Sequence, residues 1–416
     1  MLSPEDNALL TQSGPGTPLG GLMRRYWIPF LLSSELPEPD CPPVRVTLLG
    51  EGLVAYRDSK GRVGLLDRHC AHRGASLFFG RNEECGLRCV YHGWKYDLEG
   101  HCVDMPNEPP ESNFKDKVRI KAYPCRERGG MVWTYMGPPE LMPGLPEFEF
   151  LMVPDNQRYV TKRLQECNWL QALEGGLDSS HIAFLHRGNY SDDLGEIYYG
   201  DPAPKFFVVP ADYGLLIAAR RHTAGDQYNW RNTPWMMPWY MLIPYPEEQA
   251  FGGHCWIPID DHNCWNWTFS WRADRPLSDQ DLALWDSGVH IHSKLIPGAF
   301  RPEANKDNDY LIDREIQGSR KSFTGIYGSG PQDAAVQEGM GPIYDRSQEH
   351  LGTSDGGVIA ARRHLLKALR DPALVLGADP VTHHIRAVDM NLPRHVDFIQ
   401  GTQAKMIPCP RGRGLG

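Results

Sequence analysis

From residue 44 onward the chain alternates short apolar runs with turn residues. Positions 44–49, 53–57 and 62–67 are rich in Val, Leu and Tyr, and Gly50-Glu51-Gly52 and Asp58-Ser59-Lys60-Gly61 separate them. That pattern predicts strands joined by hairpin-type turns. Further strands are expected at 87–90, 94–98, 118–123 and 130–135. Ahead of them, 4–11 reads as a polar helix and 14–18 as a turn, and 22–32 is apolar apart from Arg24 and Arg25. A Pro/Gly-rich linker, Gly137-Pro138-Pro139-Glu140-Leu141-Met142-Pro143-Gly144-Leu145-Pro146, closes this region. Beyond it, strand patterns at 159–164, 206–210, 214–220, 241–244, 253–259 and 265–271 mix with helical ones at 169–186, 278–287, 333–339 and 358–370. The expectation is an α+β chain of two domains, 1–145 and 146–416. The first is a small antiparallel β domain with 40–137 as its body, and the second is built on an antiparallel sheet with helices. The tail 405–416 is expected to be poorly ordered.

Composition supports this division and removes several function classes. A length of 416 residues exceeds what one core usually fills, and 41% hydrophobic residues with 12 Trp mark a folded globular chain. A net charge of −9, with no run of Lys and Arg, argues against a nucleic-acid surface. No stretch approaches the ~18 apolar residues of a membrane-spanning helix. The start, Met1-Leu2-Ser3-Pro4-Glu5-Asp6-Asn7, lacks a secretory pattern. Ten Cys are too few for a disulfide scaffold, and Cys41, Cys85, Cys102, Cys125, Cys167, Cys255, Cys264 and Cys409 are scattered as buried small hydrophobes would be. A reducing, cytoplasmic setting follows.

Two Cys remain, and both stand beside a His. Cys70-Ala71-His72-Arg73-Gly74 and Cys89-Val90-Tyr91-His92-Gly93-Trp94 form a pair of short claws, Cys-x-His and Cys-x-x-His, at the ends of predicted strands. One turn can bring both ligands of a claw to a metal with little further loop-closure entropy. A Rieske [2Fe–2S] cluster takes two thiolates on one iron and two imidazoles on the other, so one ligand per iron from each claw fits it. The alternative is a Cys2His2 zinc site, which more often pairs Cys with Cys and His with His.

A Rieske cluster moves one electron and makes no bonds, so the second domain is expected to hold the chemistry. There, Asp178-Ser179-Ser180-His181-Ile182-Ala183-Phe184-Leu185-His186 places two His five residues apart. On a regular helix five residues advance about 140°, so the rings would diverge unless the helix is distorted or ends before His186. Two His and one carboxylate with open positions make the facial triad of non-haem Fe(II) oxygenases.

From about residue 15 to 369 the chain resembles the oxygenase (alpha) component of the Rieske non-haem iron aromatic-ring hydroxylating oxygenases. The branch is that of phthalate, 3-chlorobenzoate and phenoxybenzoate dioxygenases and aryl O-demethylases. The likeness is carried by Cys70-Ala71-His72-Arg73-Gly74-Ala75-Ser76, by Cys89-Val90-Tyr91-His92-Gly93-Trp94-Lys95-Tyr96, by the Asp178/His181/His186 group, and by Gln332-Asp333-Ala334-Ala335-Val336-Gln337-Glu338. It implies a Rieske domain followed by a helix-grip catalytic domain. It also implies Cys70, His72, Cys89 and His92 as cluster ligands, and His181, His186 and Asp333 as ligands of a mononuclear Fe(II). Glu338, Asp345, Glu349 and Asp355 compete with Asp333 for that place. Asp178 is implied as a bridge between an iron-ligand His and a cluster His of the neighbouring subunit. The implied assembly is a head-to-tail trimer or stacked trimers.

The activity implied is hydroxylation of an aromatic compound, expected to be an aromatic carboxylate, by ring dihydroxylation of a benzoate- or phthalate-like substrate. It would use O2 and electrons from a separate NAD(P)H-dependent reductase carrying flavin and [2Fe–2S]. Gly20-Gly21 and Gly129-Gly130 lack the nicotinamide-binding context, which places that reductase in trans. O-demethylation of a methoxyarene by the same iron and O2 chemistry is the alternative, and a Rieske electron carrier with an appended binding domain is the rival from another class. Trp230, Trp235, Met236, Met237, Trp239 and Tyr240 are candidates to line the pocket, and Arg220, Arg221, Arg231 and Arg320 to bind a carboxylate. Ile243-Pro244-Tyr245-Pro246 carries Tyr where the phthalate enzymes have a basic residue, which points away from phthalate itself.

Overall fold

The computed structural model describes residues 1–189, 192–246, 250–371 and 385–406. Residues 407–416, and so most of the tail expected to be poorly ordered, lie outside the described residues. Two compact units result, one of residues 13–145 and one of 1–12 with 146–416. The expected first domain therefore loses its first twelve residues to the second. The reason is packing: Leu10 and Thr11 are buried, the Leu10 carbonyl accepts from Trp169 Nε1 at 3.2 Å, and the Thr11 carbonyl accepts from Asn168 Nδ2 at 2.9 Å.

The 13–145 unit holds three small antiparallel sheets. Trp27–Leu32, Met131–Tyr135 and Cys125–Arg128 make one, with Met131–Tyr135 central. Val44–Leu48, Glu51–Arg57, Val63–Asp67 and Ala122–Tyr123 make the second. Arg81–Glu83, Gly86–Arg88, Lys95–Tyr96 and Cys102–Asp104 make the third. The first hairpin turns at Leu49-Gly50, both with positive φ, rather than across 50–52. Glu51 thereby enters the strand, where its carboxylate collects Arg24 Nη2 at 3.0 Å, Lys121 Nζ at 2.7 Å and the Tyr123 hydroxyl at 2.9 Å. The core joins Val54, Tyr56, Leu66, Leu77, Leu87, Trp94 and Tyr96 to Cys70 and Cys89.

The larger unit is an eight-stranded antiparallel sheet. Its order is Arg158–Gln165, Cys264–Trp271, Phe251–Pro258, Tyr240–Ile243, Gln227–Met236, Gly214–His222 and Lys205–Ala211, with Val388–Pro393 paired to Gln227–Met236. Gln227–Met236 and Val388–Pro393 went unread in the sequence, as did the helices Asp192–Gly200 and Phe398–Met406. Asn229, Arg231, Asn232 and Pro234 interrupt any alternation in the former, although all four are buried or paired here.

The expected helix over 169–186 stops early, at Trp169–Leu177, with Asn168 accepting from the Leu170 N–H at its start. The helix Ser329–Gly339 begins four residues before the expected 333, because Gly330 and Pro331 fall in the first turn, where a missing N–H costs nothing. These two helices pack together and the first also lies on Phe251–Pro258. Close approach is what Gly175 and Gly176 allow. A Cβ on Gly175 would lie 2.2 Å from Gln337 Nε2, and one on Gly176 2.6 Å from Trp256 and 2.7 Å from Met241. No helix among the described residues is long and apolar enough to cross a membrane.

Candidate metal centres

At the cluster end, two loops of the same kind face each other. In the first, the Cys70 N–H bonds the Ala75 carbonyl at 2.8 Å and the Gly74 N–H bonds the Cys70 carbonyl at 2.9 Å. In the second, Cys89 N–H bonds the Trp94 carbonyl at 2.8 Å and Gly93 N–H the Cys89 carbonyl at 3.0 Å. Gly74 and Gly93 close these turns at φ +71° and +81°, a conformation side chains resist. The thiols of Cys70 and Cys89 are buried neighbours, and Cys70 Sγ lies 3.2 Å from the Tyr96 hydroxyl. His72 and His92 are half-buried, with their Nδ1 atoms 3.1 Å apart and His72 stacked on Trp94.

This is a paired arrangement, thiols inside and imidazoles outside, and it discriminates between the two metal readings. A single zinc ion needs all four ligand atoms around one point. Among the described residues, no three of Cys70, His72, Cys89 and His92 converge within 4.8 Å, whereas each like pair is close. Two separate pairs suit two irons.

In the second unit the chain solves the five-residue spacing by abandoning the helix. Asp178 follows the last helical residue with extended backbone, and its Oδ1 takes both the N–H and the hydroxyl of Ser180 at 2.7 Å. This Asx-type turn leads into a single turn, His181–Ala183. His181 and His186 then come from successive turns, not from one helix. Their Nε2 atoms lie 3.2 Å apart, and Asp333 Oδ1 from Ser329–Gly339 stands 3.7 Å from the first and 3.4 Å from the second. These three side chains could hold a metal ion. Two His and one carboxylate, with every facing atom converging, fit a mononuclear iron.

Partners behind the imidazoles aim them. His186 Nδ1 donates to Gln332 Oε1 at 2.7 Å, an oxygen that also accepts from Asn189 Nδ2 at 2.8 Å. Gln332 Nε2 is held in turn by the Ile326 carbonyl at 2.9 Å and the Thr324 hydroxyl at 3.1 Å. Behind His181, Asp178 Oδ2 lies 3.5 Å from Nδ1. Burial would raise the Asp178 pKa, but hydrogen bonds from His181 and Ser180 and the His181 charge outweigh it and hold it at about 2. Burial alone would lower the His181 pKa; Asp178 reverses that and raises it.

A recess opens beside this trio. Asp178, His181, His186 and Asp333 line it together with Arg163, Arg231, Met241, Ile243, His254, Trp256, Asn266 and Ile291. The competing acids are engaged elsewhere. Glu338 takes the Tyr310 hydroxyl at 2.6 Å, Asp345 the Ser347 N–H at 3.0 Å, Glu349 a guanidinium edge of Arg362 at 2.7 Å, and Asp355 the Gly352 N–H at 2.6 Å.

None of the candidates Trp230, Trp235, Met236, Met237, Trp239 and Tyr240 borders the recess. Trp235 and Trp239 are fully buried core, and Trp230 turns to the opposite face, stacked on Phe398 at 4.5 Å. Of the four Arg, Arg231 lines the recess, Arg221 supports the Ser179 carbonyl, Arg220 lies over the Tyr228 ring at 4.1 Å, and Arg320 is exposed. Sequence reasoning passed over Gln332, His254 and Arg163. Gln332 had a signal in its place beside Asp333; the other two sit in strands with nothing local to mark them.

The fold and this geometry agree with three comparisons. Residues 26–124 match the Rieske [2Fe-2S] domain family, and residues 134–405 match the family described as LigXa C-terminal domain like. The 3-chlorobenzoate-3,4-dioxygenase oxygenase subunit of Comamonas testosteroni is 42% identical over 382 residues, covering 88% of each chain. The phthalate 4,5-dioxygenase oxygenase subunit of Pseudomonas putida is 38% identical, covering 89% of this chain and 86% of the relative. The 5,5'-dehydrodivanillate O-demethylase oxygenase subunit of a Sphingobium species is 35% identical, covering 91% and 83%. Among solved structures, dicamba monooxygenase bound to dicamba aligns with a TM-score of 0.60 at 20% identity, over 84% of this chain and 98% of that one.

A Rieske domain joined to a sheet-based domain with a His–His–Asp trio is the layout of an oxygenase that separates electron entry from substrate oxidation. The chain belongs to the Rieske non-haem iron oxygenases, as an oxygenase component with a LigXa-like C-terminal domain. It is therefore an oxidoreductase, and its cofactors are a Rieske [2Fe–2S] cluster and a mononuclear iron.

Proposed function

We propose that Cys70, His72, Cys89 and His92 hold the cluster and that His181, His186 and Asp333 hold the iron of an enzyme hydroxylating an aromatic carboxylate. The observation that carries this is the convergence of His181 Nε2, His186 Nε2 and Asp333 Oδ1 at 3.2–3.7 Å beside a recess with apolar and polar walls. When bound, the cluster supplies single electrons and the iron a site for O2 activation. The chain's own residues do the rest. Gln332 and Asp178 fix the two imidazoles, and Met241, Ile243, Trp256 and Ile291 keep water from the reacting ring. The names of two relatives, acting on 3-chlorobenzoate and phthalate, favour a carboxylated arene. The demethylase relative favours the second reading, cleavage of an aryl methyl ether, which formaldehyde release would identify.

Electrons come in this reading from an NAD(P)H-dependent reductase, with flavin and [2Fe–2S], acting in trans. The assembly is a head-to-tail trimer or stacked trimers. Exposed apolar side chains support it: Phe79, Val90 and Tyr91 near the cluster loops, and Phe184, Phe323 and Val336 beside His181. Closing the ring would bring one protomer's His72 and His92 to its neighbour's Asp178. The cytoplasm suits nine free Cys among the described residues.

Iron analysis with a product screen tests the whole reading. About three Fe per chain and reductase-dependent hydroxylation of aromatic acids are expected. About two Fe per chain, with O2 uptake absent across the panel, would make the chain an electron carrier instead.

A further inference from the structure

Arg163 lies in the middle of Arg158–Gln165, paired with Asn266, on the sheet face that also presents His254 and Trp256 to the recess. It is 4% exposed, yet its Nε and Nη1 atoms are buried without a hydrogen-bond partner. Those two nitrogens have given up water and gained no acceptor, and the buried charge has no counter-ion bonded to it among the described residues, a condition a fold rarely keeps unless something else completes it. Burial lowers the Arg163 pKa, while Glu338 and Asp333 oppose that through space. Both acids have nearer partners: Glu338 holds the Tyr310 hydroxyl, and Asp333 faces the two imidazoles.

Two other basic groups at this wall are engaged or uncharged. Arg231 donates to the Pro244 carbonyl at 2.7 Å, and Asp389 stands 4.0 Å from it. His254 is held neutral, since burial and then the Arg163 charge lower its pKa to about 4, and its Nδ1 pairs with Thr268 Oγ1 at 3.0 Å. The recess thus combines apolar walls from Met241, Ile243 and Trp256 with Arg163, a guanidinium that has two buried nitrogens without acceptors.

We propose that Arg163 anchors the substrate by its carboxylate, and that the substrate class is an aromatic monocarboxylate. This rests on reading the recess as the place where the aromatic ring is held. A carboxylate entering the recess supplies this buried guanidinium with a counter-charge and a charge-assisted acceptor, and matches one negative charge to one cation. An uncharged arene of the same size leaves the buried guanidinium without a counter-charge, so discrimination comes from the cost of that orphaned charge, not from shape.

Calorimetric titration of benzoate and of uncharged benzamide tests this, in wild type, Arg163→Gln and Arg163→Lys. Each protein is measured with its mononuclear iron and after that iron is removed. Cluster absorption and far-UV circular dichroism confirm folding. Wild type is expected to prefer benzoate by about 10-fold or more, the Gln variant to lose that preference with benzamide affinity unchanged, and the Lys variant to keep part of it. Should the Gln variant fail to fold, a reduced benzoate preference in the Lys variant stands as the supporting result. Preference undiminished in either folded variant overturns the anchor, as does a preference that vanishes with the iron, which would place the carboxylate on the metal. Wild type binding neither ligand overturns the substrate class, while three Fe per chain and reductase-dependent O2 uptake would leave the oxygenase reading standing.

Discussion

Gln332 touches no metal position, yet its amide oxygen decides which nitrogen of His186 carries a proton. With Nδ1 donating at 2.7 Å, Nε2 is left as the free lone pair facing Asp333. Gln332→Leu removes that acceptor while keeping bulk. Iron affinity is expected to fall about 10- to 100-fold with the cluster spectrum intact, checked by chelator competition. Asp178 plays the matching part behind His181 and in addition ties the 178–181 turn through Ser180. Asp178→Asn is expected to keep both metals and lose most turnover, checked by iron content against reductase-driven product formation. Unchanged turnover would rule out the bridging role proposed for Asp178.

Among the elements, the helix Trp169–Leu177 governs the site because it sets where Asp178 begins its turn. Its last turn lies so close to the sheet that Gly176 has Trp256 and Met241 at the position of a Cβ. Gly176→Ala gains helix propensity but forces the helix outward or the Trp ring aside. The net expectation is a loss of about 1–3 kcal/mol in denaturant unfolding and lower iron occupancy, because the displacement reaches Asp178 two residues on. The same helix is tied by Glu174, which salt-bridges Arg346 at 2.9 Å and Arg362 at 2.6 Å. How far these elements were legible varied with their locality. The cluster hairpins showed in Gly and alternation, whereas the length of Trp169–Leu177 did not, since 178–186 remains helical in composition. Its end is set by Asp178 capturing Ser180, in a turn that also stands Asp178 behind the half-buried His181.

At the scale of the whole molecule, the first twelve residues belong to the unit farthest from them in sequence. Leu10 is fully buried, Asn7 Nδ2 bonds the Tyr344 carbonyl at 3.1 Å, and Trp169 Nε1 depends on the Leu10 carbonyl. Deleting 1–12 is expected to destabilise the 146–416 unit by at least about 2 kcal/mol while leaving cluster absorption unchanged. Two-probe thermal melts, far-UV signal against visible absorption, would separate the effects. Coincident losses would show instead that the two units unfold as one.

Residue order was enough to show the two Cys–His claws, the tight Gly-closed loops that carry them and the division into a β domain and a sheet-and-helix domain. Ligands within four residues of each other are governed by turn chemistry, and turn chemistry is written in neighbouring residues. Which acid meets His181 and His186 was implied by resemblance only, because Asp333, Glu338, Asp345, Glu349 and Asp355 look alike as carboxylates in a chain; the folded chain brings Asp333 to both imidazoles. Tertiary structure alone decided that the Trp230–Tyr240 aromatics are core and that Arg163 faces the recess. A strand offers two faces with equal chemistry along its length, and only the packing of a helix against one of them makes that face the inside.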